Sequence, residues 1–366
     1  MKSHRLSRAR LAIILGCLPL LAQAQSREPV ALPALGADLS QTSVSGISSG
    51  GFMAAQLATA YSASFMGVGV IAAGPYYCAG TYPQLSLLQN AVTTCMTPIA
   101  FPVGPRADVS LANARKFAYD GRIDPVENLA RQRVYVFSGA SDYTVKTMVS
   151  DTVPKYYELA GAKAPGQVLY RKNVNAGHSI IVNSDDAVAC NDTRPPYINN
   201  CGFVQSHELL RQIYGADSAA PPATRADGEL LRFDQRPFVK GYRASMDSDA
   251  YVYVPQACKD GGCKVHVALH GCLQGARNIG DRFYRGTGYN EYADTNRLIV
   301  LYPQAVPSSR IPANPKGCWD FFGYSDDDPS RSAFFTKDAP QMLAIMNMVK
   351  RLGEPVTSAP AATPAP

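Results

Sequence analysis

Gly46-Ile47-Ser48-Ser49-Gly50 decides the reading of this chain. A short run with strand character, Thr42-Ser43-Val44-Ser45, leads into it, and a helical stretch rich in Ala and Met, residues 51–61, leads out. A serine at the centre of G-x-S-x-G between a strand and a helix sits on a sharp turn that exposes its hydroxyl, and small flanking residues permit the tight backbone. Gly46, Gly50 and Gly51 supply that room. A plain Gly/Ser-rich turn is the alternative, and the strand before and helix after argue against it. Ser48 is therefore the candidate nucleophile, with Ser45 and Ser49 off the central position.

Far downstream stands Leu269-His270-Gly271-Cys272, at the end of the apolar strand pattern 265–270. It looks like the oxyanion-hole loop of an α/β-hydrolase, which follows the third strand and so precedes the serine. Here the order is reversed, and a circularly permuted α/β-hydrolase fold in a single α/β domain is the expectation. Placing residues 229–352 ahead of 40–215 restores the usual order of strands, His-Gly loop, elbow, acid strand and histidine loop. Residues 216–228 (ADSAAPPATRADG) are small, polar and Pro-containing, and read as the linker joining the two halves. Chain ends usually lie at the surface and often close together, so such a rearrangement is physically cheap. The catalytic domain is expected to run over 25–353.

The rest of the pattern alternates strands with helices. Apolar runs at 68–72, 133–139 and 298–302 read as strands buried on both faces, with further strands at 168–171, 230–233 and 250–254. Residues 202–214 and 339–352 read as helices, and 279–296 as mostly helical.

Residues 1–24 read as a secretory signal peptide. Lys2, Arg5, Arg8 and Arg10 form the basic start, 11–21 the apolar stretch, and Ala22-Gln23-Ala24 an A-x-A cleavage site. The apolar run is too short for the roughly 20 residues that span a bilayer. No comparable run follows, so no membrane association is expected of the mature chain. Removal of the leader leaves 31 basic against 29 acidic residues, a net charge of +2. There is no basic block, which argues against nucleic acid as a partner. The last residues, 354–366 (EPVTSAPAATPAP), read as a disordered tail. A monomer in a secreted or periplasmic location, needing no cofactor and no metal, is the expectation.

The base follows by elimination among the four histidines beyond the leader. His266 lies inside the apolar strand and reads as core, His270 belongs to the oxyanion loop, and His207 sits in a helix. His178 stands in Asn175-Ala176-Gly177-His178-Ser179, a small-residue loop after a strand, where a hydrolase histidine belongs. Ser138-Gly139-Ala140-Ser141-Asp142 ends another strand, so Asp142 is the residue to orient His178 and stabilise its charged form. Asp120, Asp124 and Asp151 are alternatives away from a strand end. The order Ser, Asp, His is that of the hydrolases. An acyl-transfer oxyanion needs preorganised N–H donors. Ser49 N–H, next after the nucleophile, is one, and Cys272 N–H the other.

Eight cysteines remain once Cys17 leaves with the leader. An even number in an exported chain implies disulfides, though eight allow about 105 pairings. Closeness in sequence favours Cys78–Cys95, Cys190–Cys201 and Cys258–Cys263, leaving Cys272–Cys318. Zinc is the weaker reading, because no C-x₂-C pair is present. Trp319 is the only tryptophan, followed by Phe321, Phe322 and Tyr324. Exposed aromatics beside the serine would suit an apolar substrate, and a buried aromatic cluster is the alternative. Asp326-Asp327-Asp328 reads as a solvated acidic loop in preference to a calcium site.

Together, SGISSGGFMAAQL, SGASDYTV, NAGHS, LHGCLQG and GCWDFFGY resemble the circularly permuted type of extracellular poly(3-hydroxybutyrate) depolymerase. The resemblance spans about residues 35–352. It implies hydrolysis of the polyester to 3-hydroxybutyrate units, Ser48, Asp142 and His178 as the triad, Ser49 and Cys272 as oxyanion donors, and Trp319 as a substrate contact. Many such enzymes carry a separate polymer-binding domain. The Pro/Ala/Thr run in its place points to amorphous polymer or soluble oligomers. A broader carboxylesterase of feruloyl or acetyl-xylan type is the runner-up, against which the permuted order argues. A non-catalytic polymer-binding protein is the third reading, against which the complete Ser, Asp and His set argues.

Overall fold

Valine and isoleucine runs that do not alternate with polar residues demand apolar cover on both faces, and they form the middle of an eight-stranded sheet. A computed structural model describes residues 29–216, 219–328 and 331–356. The leader expected at 1–24 and the tail from 357 onward lie outside the described residues. The first half of the chain supplies β1 (Thr42–Ile47), β2 (Phe65–Ile71), β3 (Arg133–Phe137) and β4 (Val168–Arg171). A small three-stranded sheet follows, made of β5 (Ile180–Val182), β6 (Val188–Ala189) and β7 (Ile198–Asn200). The second half supplies β8 (Glu229–Asp234), β9 (Asp249–Val254), β10 (Lys264–Leu269) and β11 (Leu298–Tyr302).

In the large sheet the strands lie in the order β4-β3-β2-β1-β10-β11-β9-β8. Pairs from β4 to β11 are parallel, and β9 runs antiparallel to both β11 and β8. The two halves of the chain therefore meet at β1 and β10, with Gly46 beside Leu269. That pairing sets the elbow next to the His-Gly loop, although more than 200 residues separate them in sequence.

Helices cover both faces. On one side, α1 (Ser49–Ala60), α2 (Ala107–Tyr119) and a later helix, Pro340–Gly353, pack on Val44, Val68, Val134, Val267 and Leu301. All twelve residues of α1 are buried, as befits the central helix behind the elbow. On the other side, α3 (Gln205–Tyr214) and α4 (Tyr289–Asn296) pack on Ile71, Tyr135, Phe137, Val300 and Tyr302. His266 points to this second face. Its ring nitrogens bond to Ser43 Oγ at 2.6 Å and Ser45 Oγ at 2.8 Å, and burial pushes its pKa down to about 3.

Several expectations need correction in detail. The stretch expected to be mostly helical over 279–296 is so, but in three short pieces, Ala276–Ile279, Arg282–Gly286 and α4. Gly280 and Gly288 have positive φ, 65° and 82°, which L side chains rarely adopt, and they interrupt the helical run. The helix expected from 202 begins at Gln205, because Gly202 also has positive φ. The linker 216–228 is docked at several points where it is described. Ala220 N–H bonds Asn296 Oδ1, Ala223 N–H the Glu291 carbonyl, and Gly228 N–H the Tyr253 hydroxyl. Elsewhere, Leu35 and Ala37 N–H groups donate to the Leu352 carbonyl, and Gly36 N–H to that of Glu354. Residues 354–356 of the expected tail are thus partly held against the start of the domain. Four disulfides pair Cys78 with Cys95, Cys190 with Cys201, Cys258 with Cys263 and Cys272 with Cys318. Among the described residues no helix is long and apolar enough to cross a membrane.

Candidate active site

Four loops at the carboxyl ends of parallel strands converge. They follow β1, β3, β4 and β10, and the ends of such strands are where α/β sheets bind ligands. Ser48 is on the first, at φ 56° and ψ −124°. A non-glycine residue there is strained by about 1–3 kcal/mol, and surrounding structure must hold it. Ser48 N–H bonds the Ile71 carbonyl at 2.9 Å, and its own carbonyl accepts from Phe52 N–H at 3.0 Å. The glycines leave room for the turn. A Cβ on Gly46 would lie 2.3 Å from the Gly50 carbonyl oxygen, and one on Gly50 would lie 2.4 Å from that of His270.

Asp142 and His178 arrive on two small-residue loops pressed together. Ser141 N–H bonds the Ala176 carbonyl at 3.0 Å. Gly139 and Gly177 admit no side chain, since a Cβ on each would lie 2.2 Å and 2.1 Å from the carbonyl oxygens of Ala176 and Asp192. The Asp142 Oδ1 accepts the N–H groups of Thr144 and Val145, each at 2.9 Å, which leaves Oδ2 for His178 Nδ1 at 2.7 Å. Both side chains are buried. The alternatives are engaged elsewhere: Asp120 with Lys116, Asp124 with Lys337, and Asp151 with Tyr170 and Lys172. Ser48 and His178 line one cleft. No hydrogen bond joins them among the described residues, and in hydrolases without substrate such contacts are often long, tightening in the Michaelis complex.

Ser49 opens α1, so its N–H has no acceptor within the helix. In the facing loop, Gly271 N–H bonds Gln274 Oε1 at 2.8 Å and Leu273 N–H bonds the Lys316 carbonyl at 2.8 Å. Cys272 N–H lies between these two engaged donors. His270 fixes its direction. Ala305 N–H donates to Nε2 at 3.1 Å, so the ring carries its proton on Nδ1 and donates it to the Gly271 carbonyl at 2.7 Å. A trans peptide sets C=O and N–H on opposite sides, which turns the Cys272 N–H away from His270. Burial pushes the His270 pKa down to about 4, so the ring is neutral near pH 7. The Cys272–Cys318 bridge ties this loop to the aromatic segment.

The cleft has a volume of about 360 Å³. Leu88, Val92 and Met96 form one wall, Leu273, Phe321 and Phe322 another, with Thr193 and Tyr197 near the histidine. Trp319 is not among the lining residues. It is fully buried, with its ring centroid 5.3 Å from that of His270, at the start of the loop after β10. Its backbone N–H donates to Ser49 Oγ at 3.2 Å, which draws that part of the segment under α1 and leaves Phe322 at the surface of the cleft. The expected indole contact with substrate is corrected accordingly. Asp326 also departs from the solvated loop expected, being buried, while Asp327 and Asp328 are exposed.

Gln274 and Thr193 were not singled out from sequence. Gln274 lies inside the quoted LHGCLQG run, yet its partners Pro196 and Tyr197 are distant in sequence and nothing local announces them. Leu88 and Val92 are 56% and 45% exposed. Two large apolar side chains in solvent beside a cleft are a signal only once the fold is known.

Fold and site together define an α/β-hydrolase with an elbow serine above a buried Asp–His pair. No family model matches the chain. It is 40% identical over 345 residues to a poly(3-hydroxybutyrate) depolymerase of Delftia acidovorans, covering 92% of this chain and 65% of that one. It is 37% identical over 336 residues to a polyhydroxybutyrate depolymerase of Talaromyces funiculosus, covering 88% and 92%. The crystal structure of a PHB depolymerase from Penicillium funiculosum superposes with a TM-score of 0.77 at 35% identity. So does that of a serine-to-alanine PHB depolymerase complexed with an R3HB trimer, at 34% identity. Each match covers 88% of this chain and 99% of the other. The chain belongs to the poly(3-hydroxybutyrate) depolymerase family.

Proposed function

We propose that the protein is a secreted serine esterase that hydrolyses poly(3-hydroxybutyrate) or its oligomers to 3-hydroxybutyrate units through an acyl-enzyme. The observation that carries this reading is the Asp142–His178 hydrogen bond, at 2.7 Å, in the same apolar cleft as the elbow serine. Ser48 Oγ attacks the ester carbonyl while His178 Nε2 takes its proton. Asp142 holds the imidazole with Nδ1 protonated and stabilises the imidazolium. The oxyanion forms between the N–H groups of Ser49 and Cys272. Collapse breaks the ester C–O bond, and His178 returns the proton to the departing 3-hydroxyl. Water, activated by the same histidine, then releases the carboxylic acid and frees Ser48.

The apolar walls suit the methyl and methylene groups of the polyester, which carries no charge except at its carboxylate end. Export through the expected leader, to the periplasm or beyond it, agrees with four disulfides. A single permuted domain agrees with the hydrogen bonds between residues 35–37 and 352–354 and with the strand order; a monomer is the reading we keep with it. Read from residue 229, joined through 352 to 40, the strands lie 1-2-4-3-5-6-7-8 across the sheet.

The test is labelling with an aryl phosphonate ester, which transfers phosphorus to an activated serine. One equivalent on Ser48, with activity lost in proportion, is expected. Labelling at another serine, or full activity after labelling of Ser48, would reject the assignment.

A further inference from the structure

Gln274 has no part in the bond-making steps, yet its side-chain amide is fully engaged and only 1% exposed. Oε1 accepts the Gly271 N–H at 2.8 Å. Nε2 donates to the carbonyls of Pro196 at 3.1 Å and Tyr197 at 2.9 Å. The Tyr197 carbonyl also accepts the N–H of Ile180, two residues beyond His178, at 3.1 Å. From the same disulfide-closed loop, Cys190 to Cys201, Thr193 Oγ1 accepts the His178 N–H at 2.9 Å. One side chain thus joins the strap that holds the histidine to the loop that carries the Cys272 N–H. A primary amide fits this place because it offers an acceptor on one side and two donors on the other.

We infer that Gln274 is a positioning residue for the transition state, setting the spacing between the His178 base and the Cys272 oxyanion donor. The inference rests on the acyl-transfer reading above. Base and oxyanion donor act on the same tetrahedral centre, so a small error in their separation weakens stabilisation of the transition state. Gln274 also lines the cleft, but its amide groups are already engaged, which leaves contact with the ground-state ester to the apolar side chains of the walls. The cost of losing the brace therefore falls on kcat and spares KM.

The experiment compares wild type, Gln274→Met and Gln274→Glu on p-nitrophenyl butyrate. A second probe is an alkyl trifluoromethyl ketone, whose hemiketal oxyanion needs the same donors. Gln274→Met is expected to lower kcat roughly 10–100-fold, less than the roughly 100–1,000-fold of a lost oxyanion donor because the donor is displaced and not removed. KM should stay within about threefold, and ketone affinity should fall in parallel with kcat. Gln274→Glu keeps the acceptor for Gly271 but loses both donors when ionised, and should be impaired in the same direction. Wild-type kcat and ketone affinity in both variants would overturn the inference, as would a change confined to KM. Failure of both variants to fold would assign Gln274 a purely structural part and overturn it equally. Ser48→Ala is the separate control: turnover retained there would reject the acyl-transfer reading itself, whatever Gln274 does.

Discussion

Ser48 holds a backbone conformation that L-residues avoid, and its neighbours show why it stays. Gly46 and Gly50 are small because carbonyl groups occupy the space a side chain would need. Trp319 shows the opposite case, a large side chain placed by contacts no local pattern foretells. It packs under His270, so Trp319→Ala should cost about 3–5 kcal/mol of stability, the range for emptying a buried aromatic site. Activity on oligomer and on a small p-nitrophenyl ester should then fall together. Phe322→Ala, at the cleft wall, should raise KM for an oligomer more than for the small ester. Steady-state kinetics beside thermal melting separate the two cases, and the reverse pattern would return the substrate contact to Trp319. Asp326 gives a pH signature. Burial, with the charge of Asp320 second, pushes its carboxyl up to about 6. An acid raised from about 3.9 stabilises the fold below that value and loses this contribution as pH rises through 6. Asp326→Asn should therefore raise the melting temperature at pH 8, with the gain shrinking towards pH 4. A gain independent of pH would contradict the assignment. The approach of Asp142 to His178 was legible because small residues after a strand mark a loop that can approach another loop. The placement of Trp319 depends on Ser49 and His270, both remote in sequence.

At the scale of elements, the loop after β10, which we propose holds the oxyanion, is fastened at several points. The Cys272–Cys318 bridge closes a separation of 46 residues, worth about 4 kcal/mol in the chain-entropy model. Replacing both cysteines by serine should lower stability by that order. It should also lower kcat on a small ester, because the Cys272 N–H is then less firmly held. Denaturant unfolding and kinetics on the same sample check both parts, and an unchanged kcat would show that the other fastenings suffice. The long strands were legible from unbroken apolar runs. The small sheet was not, since β5, β6 and β7 have three, two and three residues, too few to show a period. That sheet matters because its loops brace His178 through Thr193. The mostly helical reading of 279–296 holds, and the breaks within it fall at Gly280 and Gly288.

At the scale of the whole molecule, the order of motifs carried the fold. An elbow ahead of its oxyanion loop has one economical explanation, and the adjacency of residues 35–37 with 352–354 supports it. A rearranged chain starting at residue 229, with 352 joined to 35 by a short linker and ending at 215, should fold to the same sheet and keep ester hydrolysis. Circular dichroism and turnover check this, and an insoluble or inactive product would count against the permutation. What motif order leaves open is the substrate, because polymer length and crystallinity are read by surfaces and the chemistry is the same for any ester. The direct measurement is chromatography with mass spectrometry of the soluble products released from amorphous poly(3-hydroxybutyrate) by the wild type and by Ser48→Ala. The account predicts 3-hydroxybutyrate and its short oligomers from the wild type and none from the variant. Intact polymer beside rapid hydrolysis of p-nitrophenyl butyrate, or equal release by Ser48→Ala, would contradict it.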